Sequence, residues 1–550
     1  MVPLISALYL YGVFMSDLTT QKVRGKWTPM LFIGLGVALI IMDATIVNVI
    51  LPTIIQDLQI NSVSAEWVNA VYSLTFAAFL IVMGRLGDRF GRRKIFILGA
   101  VVFAGSSMLA ALSVTGAQLI TARALQGIGG AMMSPTSLSL INSLYRGKDR
   151  AIAFAFYGAT IGSMAAVGPL LGGWLTQTFS WHWSFWINVP IALVIIIGGL
   201  KIVSESKAEG DVGGADILGA ILSTVGIATL IFTLIEGRNY GWVKIVSSQE
   251  FLGKTWNLGE YSPVLYSTII SVVTLVGLYY YETSRAKANK TVLIDFEMFK
   301  IPTFGLGSFA GLIVSLGEFG ILFSLPLYLQ SVLGWSSLGS GGLLAILALG
   351  SFVAAPTAGL IANLRNPRFV ARLGLILEII GIVGIGLVSS PTASGWALGA
   401  FLFIYGVGVG YATAQLTGLI LADIPLNKSG QASGTQSTAR QIGSAMGTAV
   451  LGTVLFVSLN TNTETRLTEN VGLPKESAAQ IANVVEKSAG TVIPTLDQMP
   501  GSPEIQAEAK LAYTESIQSA AWWASGFLVL GLLATLALPT GKTENEREEI

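Results

Sequence analysis

The sequence predicts an all-α polytopic membrane protein, and three observations carry that prediction. Of its 550 residues, 52% are hydrophobic and only 11% are charged, against roughly 25% charged in soluble domains. The apolar residues gather into about fourteen stretches near the 20 residues that a helix needs to cross about 30 Å of hydrocarbon. Lys and Arg between those stretches concentrate in alternate loops.

The expected spans cover residues 28–50, 66–86, 95–114, 117–140, 151–174, 183–203, 215–235, 262–282, 302–329, 339–361, 369–389, 394–421, 434–457 and 520–540. Loops after even-numbered spans carry Arg85 to Lys94, Arg146/Lys148/Arg150, Arg285/Lys287/Lys290, Arg365/Arg368 and Lys428. Most short loops after odd-numbered spans carry neither Lys nor Arg, the loop after span 7 (Arg238, Lys244, Lys254) being the exception. The positive-inside rule then predicts that both termini are cytoplasmic. Sixty-three glycines permit close helix approach in lipid, where apolar burial gives helices no net drive to associate.

Composition also excludes function classes. Lys+Arg 32 against Asp+Glu 31 leaves no basic excess for nucleic acid. Without cysteine, and with His182 as the only histidine, no disulfide framework, thiolate centre or histidine metal cluster can be built. His182 stands among Trp181, Trp183 and Trp186 and reads as part of an interfacial aromatic belt. No GxxxxGK[ST] loop and no soluble stretch long enough for an ATPase domain is present, so no cofactor is expected and energy must come from an ion gradient. No nucleophile–base pair of an enzyme can be assembled from the spans. Met1 to Phe14 is apolar but too short to span, and reads as an interfacial segment, while Met15 is a candidate translation start.

A few ionisable residues lie inside the spans. Asp43 is the only one between Lys26 and Asp57. An acid at mid-span costs roughly 2.5–3.5 kcal/mol on insertion scales, so it should face a cavity or a partner. Low dielectric disfavours its charged form, which makes it a candidate for proton exchange, with a purely structural hydrogen bond as the alternative. Glu318 stands alone across spans 9 and 10, near mid-span, and is a candidate for contact with a cationic substrate or for a second proton site. Glu378 lies well inside span 11 and is a further candidate for proton coupling or substrate contact, with a structural pair with Arg372 or a cytoplasmic-facing position equally open. Asp423 and Glu236 lie near span ends and read as snorkelling residues. Arg123, just beyond the first turn of span 4, needs a carboxylate, carbonyl or wet cavity; Asp43 is the natural partner to propose. Arg440 reads as a helix-start or interfacial cation.

Two glycine-rich motifs stand out. Gly84-Arg85-Leu86-Gly87-Asp88-Arg89-Phe90-Gly91-Arg92-Arg93-Lys94 packs five cations and one acid into a short loop, a topology anchor on charge alone. Gly168-Pro169-Leu170-Leu171-Gly172-Gly173 ends span 5 and is a candidate hinge, because proline removes a backbone bond and the glycines allow bending. The loop 458–519 carries about eight acids against four cations and reads as an outer helical hairpin. There Ser477 and Gln480 would form a capping box and Pro503 would open a second helix.

In that order these segments resemble the major facilitator superfamily, and within it the fourteen-span drug:proton antiporter family, from about Lys26 to span 14. Gly84, Asp88, Arg89, Gly91 and Arg92 fall on the loop 2–3 signature. Asp43 with Thr45, Asn48 and Pro52 resembles the span 1 motif. Leu119, Arg123, Gln126, Gly127 and Gly129 resemble the span 4 motif associated with proton coupling. Gly168, Pro169, Gly172 and Gly173 resemble the span 5 antiporter motif, although Met164 stands where a small residue is expected.

The resemblance implies a bundle of two six-helix halves plus two inserted central helices. The corresponding division is a cytoplasmic segment 1–27, a first half 28–203, an insert 204–301 with spans 7 and 8, a second half 302–540 including the outer loop, and a tail 541–550. It further implies substrate between the halves near the midplane, and Gly84 to Lys94 as a cytoplasmic gate latch. The function implied is proton-coupled export of amphipathic, cationic or lipophilic drugs across the cell membrane, with protons, a small molecule and the lipid bilayer as partners. A dedicated exporter of one endogenous metabolite or antibiotic is the near alternative, and a non-transporting receptor the distant one. Substrate identity and the need for an accessory protein are not legible.

Overall fold

The computed structural model describes residues 25–60, 62–208, 216–246, 250–251, 254–255, 259–498 and 502–538. The readings of Met1–Phe14, Met15 and the tail 541–550 lie outside these residues. Among the described residues fifteen α-helices follow one another, Trp183–Trp186 and Asn188–Ile202 being taken together as one: α1 (Thr28–Leu58), α2 (Ser62–Phe90), α3 (Arg92–Ala111), α4 (Gly116–Leu144), α5 (Gly147–Thr178) and α6 (Trp183–Ile202). Then come α7 (Ile217–Tyr240), α8 (Pro263–Lys287), α9 (Pro302–Ser331), α10 (Ser337–Leu364) and α11 (Pro367–Val388). The last are α12 (Gly395–Ile420), α13 (Ser429–Glu469), α14 (Lys475–Lys487) and α15 (Ser502–Leu536). The only strands among the described residues are the two-residue pair Glu250–Phe251 and Lys254–Thr255.

Among the described residues twelve helices are long and apolar enough to cross a membrane. Expected spans 4 and 10 coincide with α4 and α10, which fall outside that set. The α4 helix carries Thr121, Arg123, Gln126 and a run of serines, whereas α10 has a shorter apolar segment, Leu338–Ala354. Exposed apolar side chains such as Leu200, Val273 and Leu533 cover the outer faces of their helices, as a lipid environment requires.

Local chemistry fixes where helices begin. Thr115 accepts from the N–H of Gln118, whose side chain accepts from Val114 N–H at 2.9 Å, a reciprocal cap on α4. Ser262, Ser336 and Asn366 cap α8, α10 and α11 in the same way. In the packing, α4 sits between α2 and α3, α1 lies on α5, and α5 runs along α10. The α7–α8 pair leans on α2 and α13, while α9 packs on α13 and α15.

The outer loop differs from the expected hairpin. The α13 helix runs 41 residues, well past the expected end of span 13, and Pro503 does open a helix, but that helix continues without a break as the last span. Helix α14 begins at Lys475 with no side-chain cap, so Ser477 lies inside it and the expected capping box is not formed. The three elements bury a small core of Leu459, Leu467, Ala478, Val485, Tyr513 and Ile517. Arg466 ties α13 to α15, donating to Glu508 at 2.8 Å and Glu515 at 3.1 Å, and Asn470 also donates to Glu508. Replacing Arg466 by Ala leaves two facing acids without their cation, a loss of about 1 kcal/mol for a partly exposed network. Limited proteolysis should therefore cut around α14 roughly fivefold faster in this variant.

Candidate functional site

Asp43 of α1 is fully buried, and five helices meet around it. Arg123 of α4 donates from Nη1 to its Oδ2 at 2.5 Å. Asn188 of α6 donates to Oδ1 at 2.7 Å and Gln126 of α4 does so at 3.2 Å. Both amides also donate to Ser107 Oγ of α3, at 3.3 and 2.8 Å respectively. From α2, the Tyr72 ring lies under the guanidinium at 4.2 Å and the Val68 carbonyl accepts from Arg123 Nε. The partner proposed for Arg123 on sequence grounds is thus the one it has. Removing either charge would leave the other uncompensated in a dry interior, which costs about 3–5 kcal/mol.

The α5 motif brings the first helix into position. A Cβ on Gly168 would lie 2.8 Å from the Met42 carbonyl and overlap Thr45 Oγ1, and one on Gly172 would lie 2.7 Å from Ile46 Cγ1. These glycines let α5 pack directly behind Asp43. A Cβ on Gly173 meets nothing closer than 3.7 Å. Pro169 is accommodated within an unbroken helical run.

A second cluster forms among the later helices. Glu318 of α9 faces Arg440 Nη2 of α13 at 3.8 Å and accepts from Thr413 of α12 at 3.4 Å. Glu378 of α11 is fully buried, and neither carboxylate oxygen has a hydrogen-bond partner among the described residues. It lies within Coulombic reach of Glu318, Arg440 and the Tyr405 phenol. The α11 and α12 helices meet at this acid because a side chain on Gly408 would strike Glu378 N at 2.6 Å.

Three sequence readings need correction here. Arg440 is not a helix-start cation, since α13 already begins at Ser429 and turns this side chain inward. Glu378 is not paired with Arg372, which donates instead to the Thr535 carbonyl at 2.9 Å. Glu236 does not snorkel: it is buried in α7 and accepts from Asn239. Asp423 does stay exposed, accepting from Thr303 at 2.9 Å.

The Gly84–Lys94 segment is mostly helix end, not loop. Asp88, in the last turn of α2, accepts from Arg92 Nε at 3.1 Å and Nη2 at 2.8 Å. It also accepts from the backbone N–H groups of Gly430 and Gln431, at 2.9 and 3.0 Å. These are orphan donors of the first turn of α13, so the carboxylate meets both hydrogen bonds and the positive end of a helix dipole. Arg92 reaches on to the Leu426 carbonyl at 2.5 Å. Gly84 and Gly430 touch through their backbones, and a Cβ on Gly430 would lie 2.6 Å from Asp88 Cγ. Gly91 bridges α2 and α3 at φ +114°, a conformation other residues rarely adopt. Glu205 fills the space beside it and caps α3 through Arg93 N and Lys94 N. Arg89 stands apart from this junction, over the Phe90 ring.

At the opposite boundary His182 stacks on Trp181, and Trp181 donates to Asp57 at 2.8 Å. Burial pushes the imidazole pKa below its ordinary value, against the opposing influence of Asp57, in keeping with a belt residue. Sequence reasoning missed Asn188, Ser107, Thr413 and Glu205. Only Asn188 left a signal, as the one amide opening the apolar run of span 6.

The chain matches the Major Facilitator Superfamily over residues 33–448. It is 30% identical over 488 residues to the multidrug efflux pump LfrA of Mycolicibacterium smegmatis, covering 87% of this chain and 91% of that one. It is 28% identical over 480 residues to the tetracenomycin C resistance and export protein of Streptomyces glaucescens, covering 87% and 85%. With the multidrug transporter protein MdtP of Bacillus subtilis it shares 25% identity over 539 residues, 94% of each chain. Among solved structures, the human organic anion transporter MFSD10 (TETRAN) aligns with a TM-score of 0.58 at 13% identity, over 93% of this chain and 99% of that one, a likeness of fold. With the helical bundle and its ordered motifs, these matches establish that the chain is a multi-pass membrane transporter, not an enzyme, and belongs to the Major Facilitator Superfamily.

Proposed function

We propose that the protein is a proton-coupled antiporter that exports amphipathic, cationic or lipophilic small molecules across the cytoplasmic membrane. The observation that carries this reading is the placement of acids beside guanidinium groups in two buried clusters, Asp43 with Arg123 and Glu318 with Arg440, Glu378 lying close to the second. A buried acid beside a fixed cation can take up or release a proton as the helices around it shift. The relatives named a multidrug efflux pump and a multidrug transporter support a reading of broad drug export.

In this reading residues 28–203 and 302–540 form two six-helix halves, with 204–301 inserted between them, and the substrate sits between the halves. The basic segment Gly84 to Lys94 faces the cytoplasm, as do both termini, and Asp88 with Arg92 holds the cytoplasmic ends of α2 and α13 together. Protonation of Asp43 or Glu318 from outside displaces substrate outward, and deprotonation inside restores the empty acid. A dedicated exporter of one antibiotic uses the same machinery, and the relative named for tetracenomycin C export favours that second reading. Transport of a single compound rather than a panel of cationic dyes would select it.

Three outcomes are expected. In proteoliposomes Asp43→Asn should abolish substrate-dependent proton movement, and wild-type exchange in that variant would overturn the coupling role. Glu318→Gln should lose transport of dicationic substrates or proton exchange, so unchanged transport removes its assignment. The chain has no cysteine, so a single Ser433→Cys, buried behind the latch against Ser139, reports its opening. Adding Asp88→Ala should raise maleimide labelling of that cysteine by roughly tenfold, the effect of losing hydrogen bonds to a charged group.

A further inference from the structure

The groups that converge on Asp43 are all donors. Arg123 Nη1, Gln126 Nε2 and Asn188 Nδ2 each give it a hydrogen bond, which suits a carboxylate and not a carboxylic acid. A protonated Asp43 brings an O–H that needs an acceptor in a site closed to water. Gln126 Oε1 is taken by Arg123 Nη1 at 2.8 Å. Ser107 Oγ already accepts from both amides. Of the side-chain oxygens on the residues that hydrogen-bond Asp43, Asn188 Oδ1 is the one that is buried and has no partner among the described residues. Rotation of this amide about its terminal torsion exchanges its N–H₂ for its oxygen.

We infer that Asn188 is a positioning residue that follows the proton on Asp43, donating to the carboxylate and turning its amide oxygen toward the acid when a proton arrives. That turn withdraws the amide donor from Ser107 and weakens the hold of α6 on α1 and α3, so the protonation state is passed to helix packing. The mechanism rests on the proposed proton exchange at Asp43. The ionisable groups facing Asp43 are Arg123 of α4 and Tyr72 of α2. Asn188 and Ser107, from α6 and α3, are not titratable, and α5 presents Gly168.

Removing the side chain has two opposed effects. It deletes a hydrogen bond to the carboxylate, which favours protonation, and it deletes the acceptor for the acid, which opposes it. A bond to a charged group is roughly twice as strong as one between neutral groups, so the first effect wins. Infrared difference spectra of the solubilised full chain against pH, with Asp43→Asn identifying the carboxyl band, read this directly and without substrate. Asn188→Leu should move the band's midpoint about one unit to higher pH. Asn188→Ser, which keeps a donor and an acceptor, should recover most of the shift, and Asn188→Ala should repeat the Leu result with less disturbance of packing. A band that does not titrate, or one midpoint shared by wild type, Leu, Ala and Ser, overturns the inference. Loss of proton-coupled transport in wild-type vesicles would instead strike the functional reading, leaving the titration to be judged separately.

Discussion

The ion pair between Asp43 and Arg123 constrains the rest of the first six helices. Neither charge survives alone in an apolar interior, so α1 and α4 must meet, α6 must contribute an amide and α2 a ring face. Such a meeting is possible only if neighbouring backbones come close. The small residues at Gly168 and Gly172 of α5 let its backbone come against α1 at Met42, Thr45 and Ile46. The second cluster follows the same logic with looser geometry. Arg440 stands 3.8 Å from Glu318, and the neighbouring Glu378 has no hydrogen-bond partner among the described residues.

The junction at Asp88 solves a different physical problem with related means. It joins two helix ends that are remote in sequence, and does so by offering a carboxylate to a helix N-terminus. Each bond that Asp88 accepts belongs either to Arg92 or to an otherwise orphaned N–H. The 288–301 segment adds to it, with Gln431 donating to the carbonyls of Val292 and Leu293 and Lys428 pairing with Asp295. The α7–α8 pair is therefore tied to the same junction by the segment that follows α8.

Much of this was legible in the chain, because lipid imposes strong rules. Spans announce themselves by length and apolarity, and Asp43, Arg123 and Glu318 by being the exceptions. What stayed hidden depended on contacts between distant residues. Nothing local to Arg440 shows that it turns toward Glu318, and Glu378 sits six residues from Arg372 yet never meets it. Ser107 and Thr413 are ordinary helix residues until their neighbours are known. The outer region misled for a subtler reason: polar composition after residue 457 looked like the end of a span, whereas a helix leaving the membrane keeps its hydrogen bonds and can continue in water as long as a partner covers one face.

That continuation gives α13 a mechanical meaning. At 41 residues it is a rod of about 60 Å, and along it lie Gly430 at the latch, Arg440 at the buried acids and Arg466 in the outer core. A tilt of about 10° pivoting at the latch end would sweep the far end through about 10 Å, a large excursion produced by a small rearrangement. Helix α15 packs against α13 and α9 and is joined to the far end of α13 through Arg466, so a tilt of α13 would carry α15 with it, the outer core serving as the yoke between them.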